Sequence, residues 1–217
     1  MNTGTIFLQL MGGMGTTVSI FVLTLVFSIP LGMGVALLRM SRSSVLSALM
    51  QVYISIMRGT PLMLQLIVIY FAPFYLFHVK IASSYRFTAV ILAFALNYAA
   101  YFAEIYRAGF RSIPSGQYEA ARVLGYSRAQ TFFHIILPQV VKRVLPPVTN
   151  EVITLVKDTS LAFAIATAEM FTIAKQISAK EASLAPLMAA GVFYYVFNVL
   201  VAWVCARIEK HYEYYQI

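Results

Sequence analysis

The chain has 217 residues, of which 60% are hydrophobic and 11% are charged, and its mean hydropathy is +0.78. A soluble domain of this length does not need so much apolar surface, so the composition excludes ordinary soluble proteins and predicts a single all-α membrane domain over residues 1–217. The formal net charge of +8 is attributed to Lys and Arg retained in cytoplasmic loops, rather than to nucleic-acid binding. The single cysteine, Cys205, excludes an intramolecular disulfide framework.

Five segments are long enough to cross a hydrocarbon core of ~30 Å. They cover about residues 12–38, 52–77, 85–105, 137–160 and 184–206. In the second segment Pro61 is predicted to bend or restart the helix, because proline has no backbone N–H. In the third, Ala95, Ala99 and Ala103 form a small-residue stripe suited to close helix packing. The interval 162–183 is interpreted as a partly helical excursion on the outer side.

Residues 115–136 form the longest polar interval of the chain and separate the third span from the fourth. Good helix formers occupy Glu119–Leu124, and Gly125 is predicted to end that helix. Ser127 is predicted to cap a second helical piece, Arg128–Ile136, and Pro138 to mark a further turn or kink. A short helix-break-helix between two membrane segments is suited to contact a partner outside the membrane.

This interval carries the pattern Glu-Ala-Ala, three residues, Gly, nine residues, Ile-x-Leu-Pro. Its residues are Glu119, Ala120, Ala121, Gly125, Ile135, Leu137 and Pro138. The pattern resembles the cytoplasmic loop of permease subunits of bacterial ABC importers. Flanking segments resemble the polar amino-acid branch of that family, which includes histidine, glutamine, arginine and cystine permeases. These segments are Arg58–Pro61, Glu104–Gly109, Gly116–Gln117 and Lys157–Leu161.

The resemblance implies a type I permease fold and a role in ATP-driven, alternating-access import of polar or charged amino acids across the bacterial cytoplasmic membrane. It implies two ABC ATPase subunits, a second permease subunit in a homodimer or heterodimer, and an extracytoplasmic amino-acid-binding protein as partners. It also implies contact with membrane lipid and none with nucleic acid. ATPase coupling is expected at Glu119, Ala120, Ala121 and Gly125.

The sequence indicates no enzymatic site. It has no Gly-x4-Gly-Lys-Ser/Thr phosphate loop. The three histidines, His78, His134 and His211, are far apart in the sequence, so neither a catalytic nor a metal site is expected. The chain is therefore expected to carry no cofactor, with ATP and Mg²⁺ bound by the partner ATPase subunits.

The distribution of positive charge predicts the orientation of the spans. With the N-terminus outside and the C-terminus in the cytoplasm, most cations lie on the cytoplasmic side. They are Arg39, Arg42, Arg107, Arg111, Arg122, Arg128, Lys142, Arg143, Arg207 and Lys210. The outer side then holds only Lys80, Arg86, Lys175 and Lys180.

The fourth span is the most polar and gives the candidate substrate site, since ionisable residues in a span usually face a cavity or a partner. Lys157 is expected to bind the carboxylate of an amino acid, and Glu151 or Asp158 its ammonium group or a basic side chain. The alternative is that these charges neutralise each other. Asn97, in the third span, is expected to hydrogen-bond either a substrate or another helix.

Three further expectations concern the spans and the function. Glu104 and Arg107 stand three residues apart and are expected to form an intrahelical ion pair. Thr159–Ser160 is expected to let the backbone unwind. Two other functional classes stay open: a stand-alone secondary amino-acid transporter, which needs a coupling-ion site, and a structural membrane scaffold.

Overall fold

The computed structural model describes residues 3–212, and within them the chain is helical and contains no β-strand. Residues 1–2 and 213–217 of the predicted domain lie outside the described residues. The elements are α1 (Thr3–Arg39), α2 (Ser44–Gly59), α3 (Leu62–Phe77), α4 (Tyr85–Arg111), α5 (Ser115–Val123), α6 (Arg128–Gln130), a π-helical turn (Thr131–Ile136), α7 (Leu137–Asp158), a 3₁₀ segment (Thr159–Ile165), α8 (Met170–Glu181) and α9 (Ala185–Tyr212). The all-α fold class is confirmed.

Three of these helices, α1, α4 and α9, are long and apolar enough to cross a membrane. The bent pair α2–α3 adds a fourth span if it is counted as one crossing. Helix α7 is not among them, and it carries Lys, Arg, Glu and Asp along its length. The predicted count of five spans is therefore not confirmed by length and hydropathy.

The segment predicted as the second span is two helices that meet at an angle of 110°. Helix α2 begins at Ser44, earlier than the predicted start near residue 52, and Ser43 caps it by accepting a hydrogen bond from the N–H of Leu46. The break falls at Thr60–Pro61, both of which have extended backbone. The predicted bend at Pro61 is confirmed.

Helix α4 forms the centre of the bundle, with α1, α2, α3 and α7 packed around it. The predicted stripe is buried, since Ala95 is 6% exposed and Ala99 and Ala103 are not exposed at all. Against this stripe, α1 presents Gly32, where an added Cβ would lie 2.8 Å from the Cβ of Phe102. The small residues therefore let the backbones of α1 and α4 approach each other closely.

The polar interval after α4 folds as predicted in its first part. Helix α5 ends in a left-handed Gly125 with φ +78°, and the N–H groups of Gly125 and Tyr126 donate to the carbonyls of Arg122 and Ala121, respectively. This pair of bonds is the Schellman arrangement, which satisfies the last carbonyls of the helix. Ser127 then starts α6 with a capping box shared with Gln130.

The chain does not turn at Pro138. The chain is helical from Arg128 to Asp158, and the N–H of Leu137 donates to the carbonyl of Phe132 in a π-type bond. A π-turn widens the helix just before the proline, so the missing N–H of Pro138 is absorbed without a break. After Asp158 the helix tightens into the 3₁₀ segment Thr159–Ile165, where unwinding was predicted.

Candidate functional site

A cavity of about 400 Å³ lies where the end of α2 meets the last turns of α4 and the middle of α7. Its wall carries ionisable groups of both signs together with one aromatic ring. They are Arg58, Tyr101, Glu104, Arg143 and Glu151. Charged groups gathered around an open space in a membrane bundle mark a path for polar solutes more often than a contact with lipid.

Arg58 stands at the end of α2, and its guanidinium carbon lies 5.3 Å from the ring centroid of Tyr101. At this distance the ring and the cation attract each other, which orients the guanidinium group. The side chain is exposed and donates no hydrogen bond within residues 3–212. Its planar fork of N–H donors is therefore available for a carboxylate.

Glu104 is occupied by a neighbour on its own helix. The Arg107 Nε donates to Glu104 Oε2 at 3.0 Å, and a terminal nitrogen of Arg107 forms an ion pair with Oε1. The predicted intrahelical pair is confirmed. Glu104 therefore contributes to the wall of the cavity as part of a neutralised pair.

Glu151 is half-buried on α7 and makes no hydrogen bond or ion pair with any residue that the structure describes. Arg58 attracts this carboxylate and Asp158 repels it. A partly buried carboxylate without a donor is uncommon in a folded protein. Glu151 is thus the open acidic group of this cavity.

Asp158 and Lys157 are not among the residues that line the cavity. The hydroxyl group of Tyr98, which is only 2% exposed, donates to Asp158 Oδ2 at 2.7 Å. Lys157 is exposed. Of the three α7 candidates, the structure therefore brings only Glu151 to the cavity.

Asn97 is 4% exposed and lies between helices. Its Nδ2 donates to the carbonyl of Met57 at 2.9 Å and to Gln65 Oε1 at 3.0 Å. Asn97 was expected to hydrogen-bond either a substrate or another helix. In the structure its hydrogen bonds go to α2 and α3.

At the Gly109 end of the cavity, α4 and α7 are in tight contact. A Cβ added at Gly109 would overlap Val144 Cγ1, so this contact depends on glycine. Just beyond it, a terminal nitrogen of Arg143 donates to the carbonyl of Ser112. The two helices are thereby joined immediately beside the cavity.

Comparison with known proteins shows the family to which this fold belongs. Residues 28–214 match the family described as the inner membrane component of binding-protein-dependent transport systems. The chain belongs to this family. It is accordingly a permease, and the alternatives of a stand-alone transporter and a structural scaffold are not favoured.

The permease is 38% identical over 208 residues to an L-cystine transport system permease protein of Bacillus subtilis (strain 168), covering 95% of this chain and 87% of the relative. It is 33% identical over 195 residues to a putative glutamine transport system permease protein of Rickettsia bellii (strain RML369-C), covering 89% and 88%. A chain in the crystal structure of an amino acid ABC transporter with histidines superposes with a TM-score of 0.84 at 30% identity, covering 94% of each chain.

The permease exposes most of its Glu-Ala-Ala segment. Glu119, Ala120 and Gly125 are exposed, whereas Ala121 is 1% exposed, and α5 packs against the π-helical turn Thr131–Ile136. Val123 and Leu124 are 88% and 72% exposed just before the break. Exposed apolar side chains beside a charged residue are typical of a protein-binding surface.

Sequence reasoning missed Arg58, Tyr101 and Arg143 as cavity residues. The signal for Arg58 was present, because an arginine directly precedes the Gly-Thr-Pro that bends the chain. Its partner residues lie far away in sequence, so the cavity itself could not be read from that motif. Within residues 3–212 no group of three or more His, Cys, Asp or Glu side chains is placed to hold a metal ion.

Proposed function

We propose that this permease moves polar or charged amino acids through the cavity between α2, α4 and α7. The observation that carries the proposal is the pairing of an unoccupied cation, Arg58, with an unoccupied carboxylate, Glu151, on one cavity wall. A free amino acid is a zwitterion, and these two groups are complementary to its two ends. The names of the relatives, which refer to cystine and glutamine, support the same substrate class.

In this proposal Arg58 receives the α-carboxylate of the substrate through a forked pair of hydrogen bonds, and Glu151 receives its ammonium group. The other sequence candidates take different places. Lys157 and Asp158 lie further along α7, outside the cavity, beside the route by which the substrate reaches or leaves it. Asn97 acts through helix contacts.

The proposal includes α7 as the fifth span, since its charges would face the cavity and a second subunit rather than lipid. The N-terminus lies outside and the C-terminus in the cytoplasm. ATP and Mg²⁺ are bound by two ATPase subunits that contact residues 115–136, and an extracytoplasmic binding protein delivers the substrate. The exposed face of α9, which includes Tyr195 at 69% and Trp203 at 59%, is left for lipid or a second permease.

The orientation predicts opposite labelling of two serines. A cysteine at Ser178, on α8, should react with a membrane-impermeant thiol reagent applied to intact cells, and a cysteine at Ser115, on α5, should not. Both variants are made with Cys205→Ser to remove the native thiol. The reverse pattern would contradict the orientation and the cytoplasmic position of the Glu-Ala-Ala segment together.

The function is tested by purifying the tagged permease and identifying its partners by native mass spectrometry. An ATPase subunit should co-purify, and the reconstituted complex should take up radiolabelled L-glutamine, L-cystine or L-arginine only with ATP. Arg58→Gln and Glu151→Gln should assemble, and their uptake at low substrate concentration should fall roughly tenfold or more. The control Lys180→Gln, which removes an exposed charge on α8, should take up substrate normally. Uptake without an ATPase, or full uptake by both cavity variants, would contradict the proposal.

A further inference from the structure

The bend between α2 and α3 leaves a backbone carbonyl without its helical donor. In an α-helix the N–H of residue 61 would donate to the carbonyl of residue 57, but Pro61 has no N–H. The neighbouring carbonyl of Ile56 is instead served by the Thr60 hydroxyl at 2.8 Å. The carbonyl of Met57 therefore needs a donor from elsewhere in the bundle.

Two buried side-chain amides supply this donor. Gln65 Nε2, from α3, donates to the Met57 carbonyl at 3.0 Å and also contacts the Thr60 carbonyl at 3.1 Å. Asn97 Nδ2, from α4, donates to the same Met57 carbonyl at 2.9 Å and to Gln65 Oε1 at 3.0 Å. Gln65 and Asn97, called the amide pair below, thus join α2, α3 and α4 at the bend.

The amide pair lies directly beside the cavity. Met57, whose carbonyl it holds, is followed by Arg58, whose guanidinium carbon lies 5.3 Å from the Tyr101 ring centroid. Asn97 and Tyr101 stand four residues apart on α4, which places them on one helix face. One face of α4 therefore fixes the backbone before Arg58 through Asn97 and its side chain through Tyr101.

We propose that Gln65 and Asn97 are positioning residues that hold Arg58 in the cavity by replacing the hydrogen bond that Pro61 cannot make. Neither amide contacts the substrate. The inference rests on the proposed function in one respect, namely that Arg58 binds the substrate carboxylate. Its geometric part, the fixing of the bend, is independent of that function.

The geometric part is tested by the distance between α2 and α3. Spin labels are placed at Val52→Cys and Tyr75→Cys, both exposed in the structure, with Cys205→Ser. The labelled chain is mixed with excess unlabelled permease, so that each complex carries one labelled copy. Pulsed electron–electron double resonance on the chain without further substitutions should give one narrow distribution of distances between the two labels. It should broaden in Asn97→Leu and in Gln65→Met, and stay narrow in the control Gln176→Leu, which removes an exposed amide on α8.

The functional part is tested by a double-mutant cycle on uptake of radiolabelled L-glutamine, L-cystine or L-arginine, whichever the unmodified complex transports. Arg58→Gln should raise KM roughly tenfold to a hundredfold, the range expected for losing a hydrogen bond to a charged group. Asn97→Leu should raise KM several-fold. In the Arg58→Gln background the same Asn97 substitution should change KM by less than twofold, because the residue it positions is already gone.

Each outcome of the two tests decides something different. An unchanged distance distribution in both amide variants overturns the inference. A broadened distribution with fully additive KM effects shows that the amide pair fixes the bend but does not act through Arg58, and also overturns it. If Arg58→Gln leaves KM unchanged, the proposed role of Arg58 in the site fails, and with it the functional part of this inference. The distances between the spin labels then test only whether the amide pair fixes the bend between α2 and α3.

Discussion

Glu169 and Glu151 are two shielded carboxylates of this permease, and their surroundings are opposite. Glu169 is not exposed at all, and both of its oxygens are occupied. Oε1 accepts from the N–H and the hydroxyl of Thr172 at 2.6 and 2.7 Å, and Oε2 accepts from the Phe171 N–H at 2.7 Å and the Tyr194 hydroxyl at 2.9 Å. Glu151, half-buried at the cavity, accepts no hydrogen bond within the described part of the chain.

The difference separates a structural acid from one that is available to a ligand. A buried carboxylate whose acceptor positions are filled stabilises the elements that supply the donors. Here Glu169 caps α8 and reaches α9 through Tyr194, while the next N–H, that of Met170, donates to Thr17 Oγ1 of α1 at 3.2 Å. Glu151 joins no such elements, and its free carboxylate is what the proposed role in binding the substrate ammonium group requires.

The largest expected effect is on folding, from Glu169→Ala. The substitution removes the acceptor for four donors, all buried or partly buried, and we expect it to destabilise the permease by on the order of 3–5 kcal/mol. The measurement is the temperature at which the detergent-solubilised complex loses monodispersity. Glu169→Gln retains one acceptor oxygen and should lose less stability. Equal transition temperatures for Glu169→Ala and the unmodified protein would contradict the structural role.

The second largest effect is expected from Glu151→Gln, and it is on uptake rather than on folding. Glu151→Gln keeps the shape of the side chain and removes its charge, so the transition temperature should stay unchanged. Uptake at low substrate concentration should fall roughly tenfold or more, because the ammonium group loses a charged partner. A loss of stability similar to that of Glu169→Ala would place Glu151 in the structural class instead.

A third effect concerns the transmission of ATP hydrolysis rather than either carboxylate. Gly125→Val places a β-branched residue at φ +78°, which costs roughly 1–2 kcal/mol, although no atom lies within 4 Å of an added Cβ. The damage should stay local to the Schellman turn. Uptake should fall and ATP hydrolysis should uncouple from substrate while the spans still insert.

The matched control for that variant is Gly116→Ala. Gly116 is also exposed and also has no atom within 4 Å of an added Cβ, but its φ lies outside the left-handed region. It should couple normally. Normal coupling in Gly125→Val as well would show that the backbone conformation at the break does not matter for the ATPase contact.

The smallest effect is expected at Tyr98. Tyr98→Phe removes the hydrogen bond to Asp158 and little else, and a single hydrogen bond of this kind contributes about 1 kcal/mol. The transition temperature should fall slightly, and KM should change by less than after Glu151→Gln. A larger change in KM for Tyr98→Phe would move the substrate path towards Asp158.

The elements that local chemistry controls could be predicted residue by residue. Gly125 ends a helix and Ser127 begins one because the caps need only the residues within one turn. At Pro138 the local rule did not anticipate the π-helical turn Thr131–Ile136, which precedes the proline and carries the helix through it. The bend at Pro61 was foreseen, but its angle of 110° was not. One donor to the Met57 carbonyl before the bend, Asn97, comes from α4, and this contact cannot be read from the residues around Pro61.

The candidate site was predicted only in part, for a geometric reason. Glu151 and Lys157 are six residues apart, which turns the helix by about 240°, so the two side chains diverge. The cation that does share the cavity with Glu151 is Arg58, which a bend elsewhere in the sequence brings to the same wall. Pairings across helices of this kind cannot be read from spacing along one helix.

The central claim, that the cavity is the place where substrate binds, is tested most directly by protection of a thiol inside it. Ala108 lines the cavity and is exposed, so Ala108→Cys with Cys205→Ser introduces a small reporter without touching Arg58 or Glu151. In the assembled complex, the transported amino acid should slow labelling of this cysteine, and should not slow labelling of a control at Gln176→Cys, which is exposed on α8. Equal labelling of Ala108→Cys with and without saturating substrate would contradict the account.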